Sequence, residues 1–518
     1  MAFKKDLMKK IKTALISVSN KQNLQELLKT LKKYNIKLIS SGGTYKKIKK
    51  LNFKCLEISE FTGSKEILGG RVKTLHSKVH AGILNKRNDK SHLKDIKDNN
   101  FENIDLVIVN FYPFEKILEK TKKHSKIVEN IDIGGPTMVR AAAKNYNDVT
   151  VITSTSQYPE IIRELKHNKG ATSLEFRKQM SQLAFTETSY YDSLISNYFN
   201  NNMNIKFPKK KVIHGNLVAN LRYGENPHQI SAIYAQKQNS KLKQIHGKSL
   251  SHNNYSDIFS ALKISRSFPK NTGTVIVKHT NPCGASILKG NLKSYKSALA
   301  CDPLSAFGGI VSFNFKVNKD IANELNKIFL EVIIGNGFEK DALKILKSKK
   351  NLRLIDASDF KFDKNLQFNS FNNSILIQSE DQKMLSKKNF YIVSKKKPTK
   401  LQLENLIFAF NICRYVKSNA IVLVNNKTTV GIGSGQTSRL DSCQIAVDKM
   451  NKFNNSKNEI VAASDAFFPF VDGIEKLIQA GASAVIQPAG SINDKEIIKF
   501  ANLTNTVLVF SKTRHFSH

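Results

Sequence analysis

With 518 residues, 40% of them hydrophobic, the chain has apolar material for about two to four globular domains and falls outside the disordered class. Lys and Arg number 82 against 42 Asp and Glu, a net charge of +40, but the basic residues are scattered among abundant Asn and Ile. That pattern fits a coding bias and a basic enzyme rather than a nucleic-acid binder, and the positive field would steer anionic substrates. No apolar run approaches the ~18 residues of a membrane helix. The apolar Ala14-Leu15-Ile16 behind the basic start is too short for a signal-peptide core. Cys55, Cys283, Cys301, Cys413 and Cys443 are odd in number and far apart, which fits a reducing, cytoplasmic setting and neither a disulfide framework nor structural zinc.

In chain order, Thr13–Val18 reads as a first strand, followed by a helix with Leu24, Leu27, Leu28 and Leu31 on one face and Ser19 or Asn20 as its N-cap. A strand at 37–40 runs into Ser41-Gly42-Gly43-Thr44, after which 45–51 looks helical. Small residues at a strand-to-helix joint expose backbone N–H groups suited to a phosphate, although a tight turn needs the same residues. Gly69-Gly70-Arg71-Val72-Lys73-Thr74-Leu75-His76 has neither helical nor strand period, and its cations behind a Gly-Gly turn suit an anion clamp. Strands at 104–110 and 149–153 flank Ile131-Asp132-Ile133-Gly134-Gly135-Pro136, which opens a helix continuing to Lys144. Alternating strands and helices predict an α/β fold with a parallel sheet.

The motifs Ser17-Val18-Ser19-Asn20-Lys21, Ser41–Thr44, Gly69–His76, Val79–Leu84 and Ile131–Pro136, in this order, resemble the IMP cyclohydrolase domain of the bifunctional purine-biosynthesis enzymes. The resemblance implies a methylglyoxal-synthase-like domain that closes the second purine ring with loss of water. It implies nucleotide contacts at Ser17, Ser19, Lys21, Arg71, Lys73 and Thr74, and ring-closure groups at Lys73, Tyr112, Asp132 and Lys144. Ser77 departs from the Pro common in the family.

Residues 156–203 read as helical, and Lys206–Lys211 as a charged linker, placing a boundary between domains 1–207 and 208–518. Arg222-Tyr223 sits in a loop dense in hydrogen-bonding groups. The stretch Thr274–Gly284 is a buried strand that delivers Lys278 and His279 to a turn, with Asn281-Pro282 and Cys283-Gly284 as the reversing signals. Further loops carry Phe307, Asn419, Arg439, Phe467, Asp472 and Arg514. Thr274–Gly284 and Ser483–Gly490 echo each other and suggest a duplicated lobe. The zinc-deaminase pattern fails, since His279-Thr280-Asn281 lacks the Glu and Pro282–Ser286 lacks the second Cys.

These segments resemble the AICAR transformylase half of the same family, described as paired cytidine-deaminase-like lobes without zinc, so the resemblance runs from Ser17 to His518. It implies formyl transfer from 10-formyltetrahydrofolate to AICAR, then cyclisation of formyl-AICAR to IMP. His279 matches the base, Lys278 its cationic partner, and Asn419 a group on the formyl oxygen. Arg222, Tyr223, Arg439 and Arg514 match the AICAR set, and Phe307, Phe467 and Asp472 the groups around base or folate. The family is a homodimer; no zinc, nucleic acid or membrane is expected, and a bound monovalent cation is left open. Val471, Ser517 and Ala489 depart from the family pattern.

Overall fold

Thr13–Val18, six residues with almost no polar surface, forms the middle of a five-stranded parallel sheet. It lies between Lys37–Ser40 and Leu106–Asn110, with Leu56–Glu57 and Thr150–Ile152 at the edges. Continuous apolar runs of this kind suit strands covered on both faces. The computed structural model describes residues 8–236, 242–362, 366–454 and 459–518, and divides into two compact units, 1–215 and 216–518. The sequence-based boundary and the division between the units both fall in the stretch 203–215, where most residues are exposed.

In the first unit Leu24, Leu27, Leu28 and Leu31 are fully buried along one side of the helix Leu24–Lys33. Each such leucine contributes about 1.5–3 kcal/mol of burial. The expected cap is not found: the residue before this helix is Asn23, in left-handed conformation, with no side-chain capping bond. The expected helix over 156–203 is two helices, Tyr158–His167 and Leu174–Asn202. The short strand Ala171–Ser173 separates them by pairing with Met8–Lys10.

The second unit is built on a twelve-stranded sheet with a central pair of hairpins. Thr274–Lys278 turns into Asn281–Ser286, and Ile421–Asn425 turns into Thr428–Gly433. The hairpins meet where Ser286 pairs with Thr428. Outward from the first lie Ile310–Phe313 (antiparallel), Val332–Gly335 and Arg353–Asp356 (parallel), then Lys243–His246 (antiparallel). Outward from the second, with the same sequence of directions, lie Ile460–Ser464, Ala482–Pro488, Val507–Ser511 and Phe390–Ile392.

The duplication extends to detail. A bulge follows Ile276 in one hairpin and Leu423 in the other. Opposite these stand Gly284 and Gly431, where a Cβ would lie 2.0 Å from Ala298 O and 2.1 Å from Ala446 O of the covering helices Asn291–Cys301 and Arg439–Phe453. Both positions require glycine. The expected echo was aligned to the wrong strand: the counterpart of Thr274–Lys278 is Ile421–Asn425, and Ala482–Pro488 corresponds to Val332–Gly335. An apolar strand followed by a small-residue turn is too common in such a sheet to fix the register of a repeat.

Candidate active sites

In the first unit the candidate residues gather at the carboxyl ends of the parallel strands. The Ser41–Thr44 joint opens the helix Gly42–Lys50, earlier than the expected start at 45. A Cβ on Gly42 would stand 3.6 Å from Lys73 Nζ, and one on Gly43 4.0 Å from Lys21 Nζ. Two ammonium groups therefore converge on one helix N-terminus, the combination that holds a phosphate. Lys21 Nζ also donates to Ser19 O at 3.2 Å, and Lys73 Nζ to Glu66 at 2.8 Å. Ser17 is the half-buried fifth residue of the central strand. Arg71 is exposed and paired with Glu129.

A second helix N-terminus adjoins this cradle. Thr74 Oγ1 lies 2.7 Å from where a Cβ on Gly134 would be, at the start of the helix Gly134–Lys144. The Asp132 carboxylate accepts from Gly135 N–H at 2.8 Å, and Asp132 N–H donates to Tyr191 OH at 2.9 Å. Burial raises the Asp132 pKa, opposed by hydrogen bonds from the backbone of Gly135 and Tyr112. Tyr112 is 47% exposed. Lys144 is not brought to this group. It is exposed at the opposite end of the eleven-residue helix from the first turn, which Asp132 caps, roughly 15 Å along the axis at 1.5 Å per residue.

In the second unit the reversal after Thr274–Lys278 is made by His279 and Thr280 themselves, at φ 56° and 62°. Asn281–Ser286 is the returning strand, which corrects the expectation that Asn-Pro and Cys-Gly make the turn. Two successive left-handed residues form a tight hairpin turn, for which Asn and Gly are the usual choices. Thr280 is the one β-branched residue with positive φ among the described residues. The turn leaves the His279 imidazole exposed and Lys278 half-buried, its Nζ donating to Phe307 O at 2.8 Å. Phe307 is 57% exposed and its ring lies 5.3 Å from that of Phe329. Cys283 is buried in the returning strand and its thiol is pushed up to about 12 by burial.

Asn281 Oδ1 accepts from Lys417 N–H at 2.9 Å, tying this corner to the loop carrying Asn419. The Ser418–Asn419 peptide is cis. Asn419 Nδ2 donates to Gln436 O at 2.9 Å and Thr437 O at 3.1 Å, while its Oδ1 accepts from Arg439 at 2.7 Å. Arg439 is buried, paired with the fully buried Asp465 and donating to Ser464 Oγ at 2.8 Å. Its guanidinium therefore orients Asn419 rather than facing solvent. Ser418 Oγ donates to Asp465 at 2.6 Å and accepts from Ser517 N–H at 3.1 Å, bringing residues 515–517 alongside. Arg514, on that segment, is exposed with its guanidinium 4.7 Å from the Phe516 ring centroid. Phe467 and Asp472 are exposed; Asp472 and Arg439 both act on the buried Cys443 thiol, whose pKa burial raises to about 12.

Arg222 lies over Tyr223, its guanidinium 5.7 Å from the ring centroid, and both act on the buried Arg353. Arg353 in turn faces Glu331 at 3.7 Å, and Glu331 accepts from Asn254 Nδ2 at 2.7 Å. Glu331, Arg353 and Asp465 were missed in the sequence. Glu331 precedes and Arg353 begins an ordinary apolar strand without any motif, and Asp465 lies just before the aromatic residues Phe467, Phe468 and Phe470, which draw the eye away from it. Among the described residues no group of His, Cys, Asp and Glu could hold a metal ion, and no helix is long and apolar enough to cross a membrane.

Comparison with known proteins finds two family models along the chain. The family model of the AICARFT/IMPCHase bienzyme matches residues 142–449, and that of the MGS-like domain matches residues 23–137. The bifunctional purine biosynthesis protein PurH of Persephonella marina is 44% identical over 98% of this chain and 99% of its own. That of Bradyrhizobium diazoefficiens is 42% identical over 98% and 99%. That of Caldicellulosiruptor saccharolyticus is 43% identical over 98% and 100%. A solved structure, the crystal structure of ForH, covers 36% of this chain and 99% of its own at 28% identity, with a TM-score of 0.33 that carries no argument. From end to end, the chain belongs to the AICARFT/IMPCHase bienzyme family.

Proposed function

We propose that the chain catalyses the last two steps of IMP formation: formyl transfer from 10-formyltetrahydrofolate to AICAR, then cyclisation of formyl-AICAR. The observation that carries this reading is the His279–Thr280 turn, a conformationally costly pair that presents an exposed imidazole at the residue following Lys278. The amine of AICAR is conjugated with its ring and is a feeble nucleophile. His279 takes the amine proton as the new C–N bond forms at the formyl carbon. It then returns that proton to N10 as the C–N10 bond breaks, so atoms and charge balance. Lys278 stabilises the tetrahedral oxyanion. Asn419 turns one N–H from Thr437 O to the formyl oxygen, held in register by Arg439. Arg222, Tyr223 and Arg514 hold AICAR, with Phe307, Phe467 and Asp472 around the base and folate.

For ring closure, Ser17, Ser19, Lys21, Arg71, Lys73 and Thr74 hold the nucleotide at the Gly42–Gly43 helix start. Lys73, Tyr112 and Asp132 serve the departing water and the carboxamide proton, with Lys144 acting from outside this group. The functional unit is a homodimer in the cytoplasm. The test is to mix purified protein with AICAR and 10-formyltetrahydrofolate and identify products. Tetrahydrofolate and IMP in equal amounts are expected; the appearance of neither overturns the reading.

A further inference from the structure

The duplicated hairpins invite comparison of what holds each turn from behind. At the second, Lys427 N–H donates 2.8 Å to Oδ1 of Asn405, on the helix Lys400–Cys413. At the first, Thr280 N–H donates 2.6 Å to Oδ1 of Asp257, at the matching place on the helix His252–Arg266. Asp257 also accepts from the His279 N–H and interacts with the His279 and Glu331 charges. Ser260, one turn along the same helix, donates to Thr280 O at 2.6 Å. Its counterpart on the other helix is Phe408, which has no such group.

The second turn is Asn426-Lys427, whose first residue tolerates left-handed backbone, and the neutral Asn405 suffices there. Its amide even leaves Nδ2 buried without a partner. The first turn asks His and a β-branched Thr to adopt the same backbone, and behind it stand a carboxylate and a hydroxyl gripping N–H and C=O sides together. The carbonyl of the second turn is held by backbone instead, Ile287 N–H donating to Lys427 O at 3.0 Å, so the clamp made wholly by side chains of the covering helix stands behind the imidazole.

We propose that Asp257 is a positioning residue for formyl transfer: its carboxylate anchors the backbone N–H groups of the His279–Thr280 turn, Ser260 clamps the carbonyl side, and together they fix the backbone from which the imidazole is presented. Asp257 touches no reacting atom. The assignment rests on the transformylase reading above.

The experiment measures kcat and KM for formyl transfer in full-length wild type, Asp257→Ala, Asp257→Asn, Ser260→Ala and Asn405→Ala. Cyclisation of added formyl-AICAR is followed on the same preparations. Asp257→Ala is expected to lower the formyl-transfer kcat roughly 100-fold, the scale of a misplaced catalytic group, with KM for AICAR and cyclisation near wild type. Asp257→Asn keeps an Oδ1 acceptor, as Asn405 does, and should recover most of kcat. Asn405→Ala should leave kcat within about threefold, since it loosens the turn that carries no imidazole. Wild-type kcat in Asp257→Ala, a loss seen only in KM, equal damage in Asp257→Asn, or an equal kcat loss in Asn405→Ala would each overturn the proposal. If Asp257→Ala does not fold, Ser260→Ala decides it: a kcat loss of several-fold at constant KM supports the clamp, and no loss overturns it. Wild-type protein that forms no tetrahydrofolate would instead defeat the reaction itself, so the two failures are distinct.

Discussion

Thr274–Ser286 and Ile421–Gly433 share length, turn conformation, bulge position and an opposing glycine, yet place different chemistry at the tip. In each the residue before the turn is half-buried, the first turn residue exposed and the second half-buried. Those three positions hold Lys278, His279 and Thr280 in one hairpin and Asn425, Asn426 and Lys427 in the other. The second set meets the left-handed preference at Asn426 alone, and the first departs from it at both turn positions. A backbone conserved between lobes while its side chains diverge marks where the departure has a use.

The largest expected effect follows directly. His279→Ala should lower formyl transfer by ~100- to 10,000-fold, the range of a lost general base, while cyclisation of formyl-AICAR in the first unit persists. The matching change, Asn426→Ala, should leave formyl transfer within about twofold. Steady-state assays of both reactions on both variants check this. Equal losses in the two would erase the distinction between the hairpins.

The glycines test the shared part of the comparison. A Cβ at Gly284 or Gly431 would strike a helix carbonyl at 2.0 or 2.1 Å, and backbone cannot yield as a flexible side chain can. Gly284→Ala and Gly431→Ala should each cost about 2–3 kcal/mol, the upper range of overpacking, read from denaturant midpoints. Similar losses are expected because the geometry is the same, and a loss confined to one lobe would break the equivalence.

Strand existence was legible in the chain because the core strands are short, continuous apolar runs: Thr13–Val18 and Lys37–Ser40 stand where periodicity puts them. Lys278 and His279 were legible as a pair at a strand end. What failed was local turn chemistry, since nothing in His-Thr signals left-handed backbone and the neighbouring Asn-Pro does signal a turn. The duplication was detectable, but its register depends on bulges and glycine contacts that exist only after the strands pair. Arg439 was visible as a cation after a glycine run; that it is buried against Asp465 depends on a partner 26 residues away. Lys21 and Lys73 entered as nucleotide contacts implied by the family resemblance, whereas the separation of Lys144 from the first turn of its own helix follows from helix rise alone.

A smaller effect is expected from relieving the turn. Thr280→Gly removes a left-handed penalty of ~1–2 kcal/mol but also the Thr280 Oγ1 bond to His279 O at 2.7 Å. A net gain of about 0.5–1 kcal/mol in stability should result, with a lower kcat as the imidazole gains freedom. Asn426→Gly should change stability by a few tenths of a kcal/mol, since Asn already tolerates this backbone.

The smallest effect separates the two anchors by charge. Burial raises the Asp257 pKa above its ordinary 3.8, against the opposing hydrogen bonds from Thr280 and His279. Between 3.8 and that raised value the folded protein holds a proton that the unfolded chain has released. Unfolding is then accompanied by proton loss, so this group makes stability fall as pH rises through the window and level off above it. Asn405 does not titrate and contributes no such slope. Asp257→Asn should accordingly gain stability relative to wild type as pH rises from about 3.8, and the difference should become constant once Asp257 is ionised in the folded state. Urea midpoints across that range measure it. Parallel curves for the two proteins would mean that hydrogen bonds from the turn fully offset burial, and the hairpins would then differ in the shape of their anchors but not in their charge.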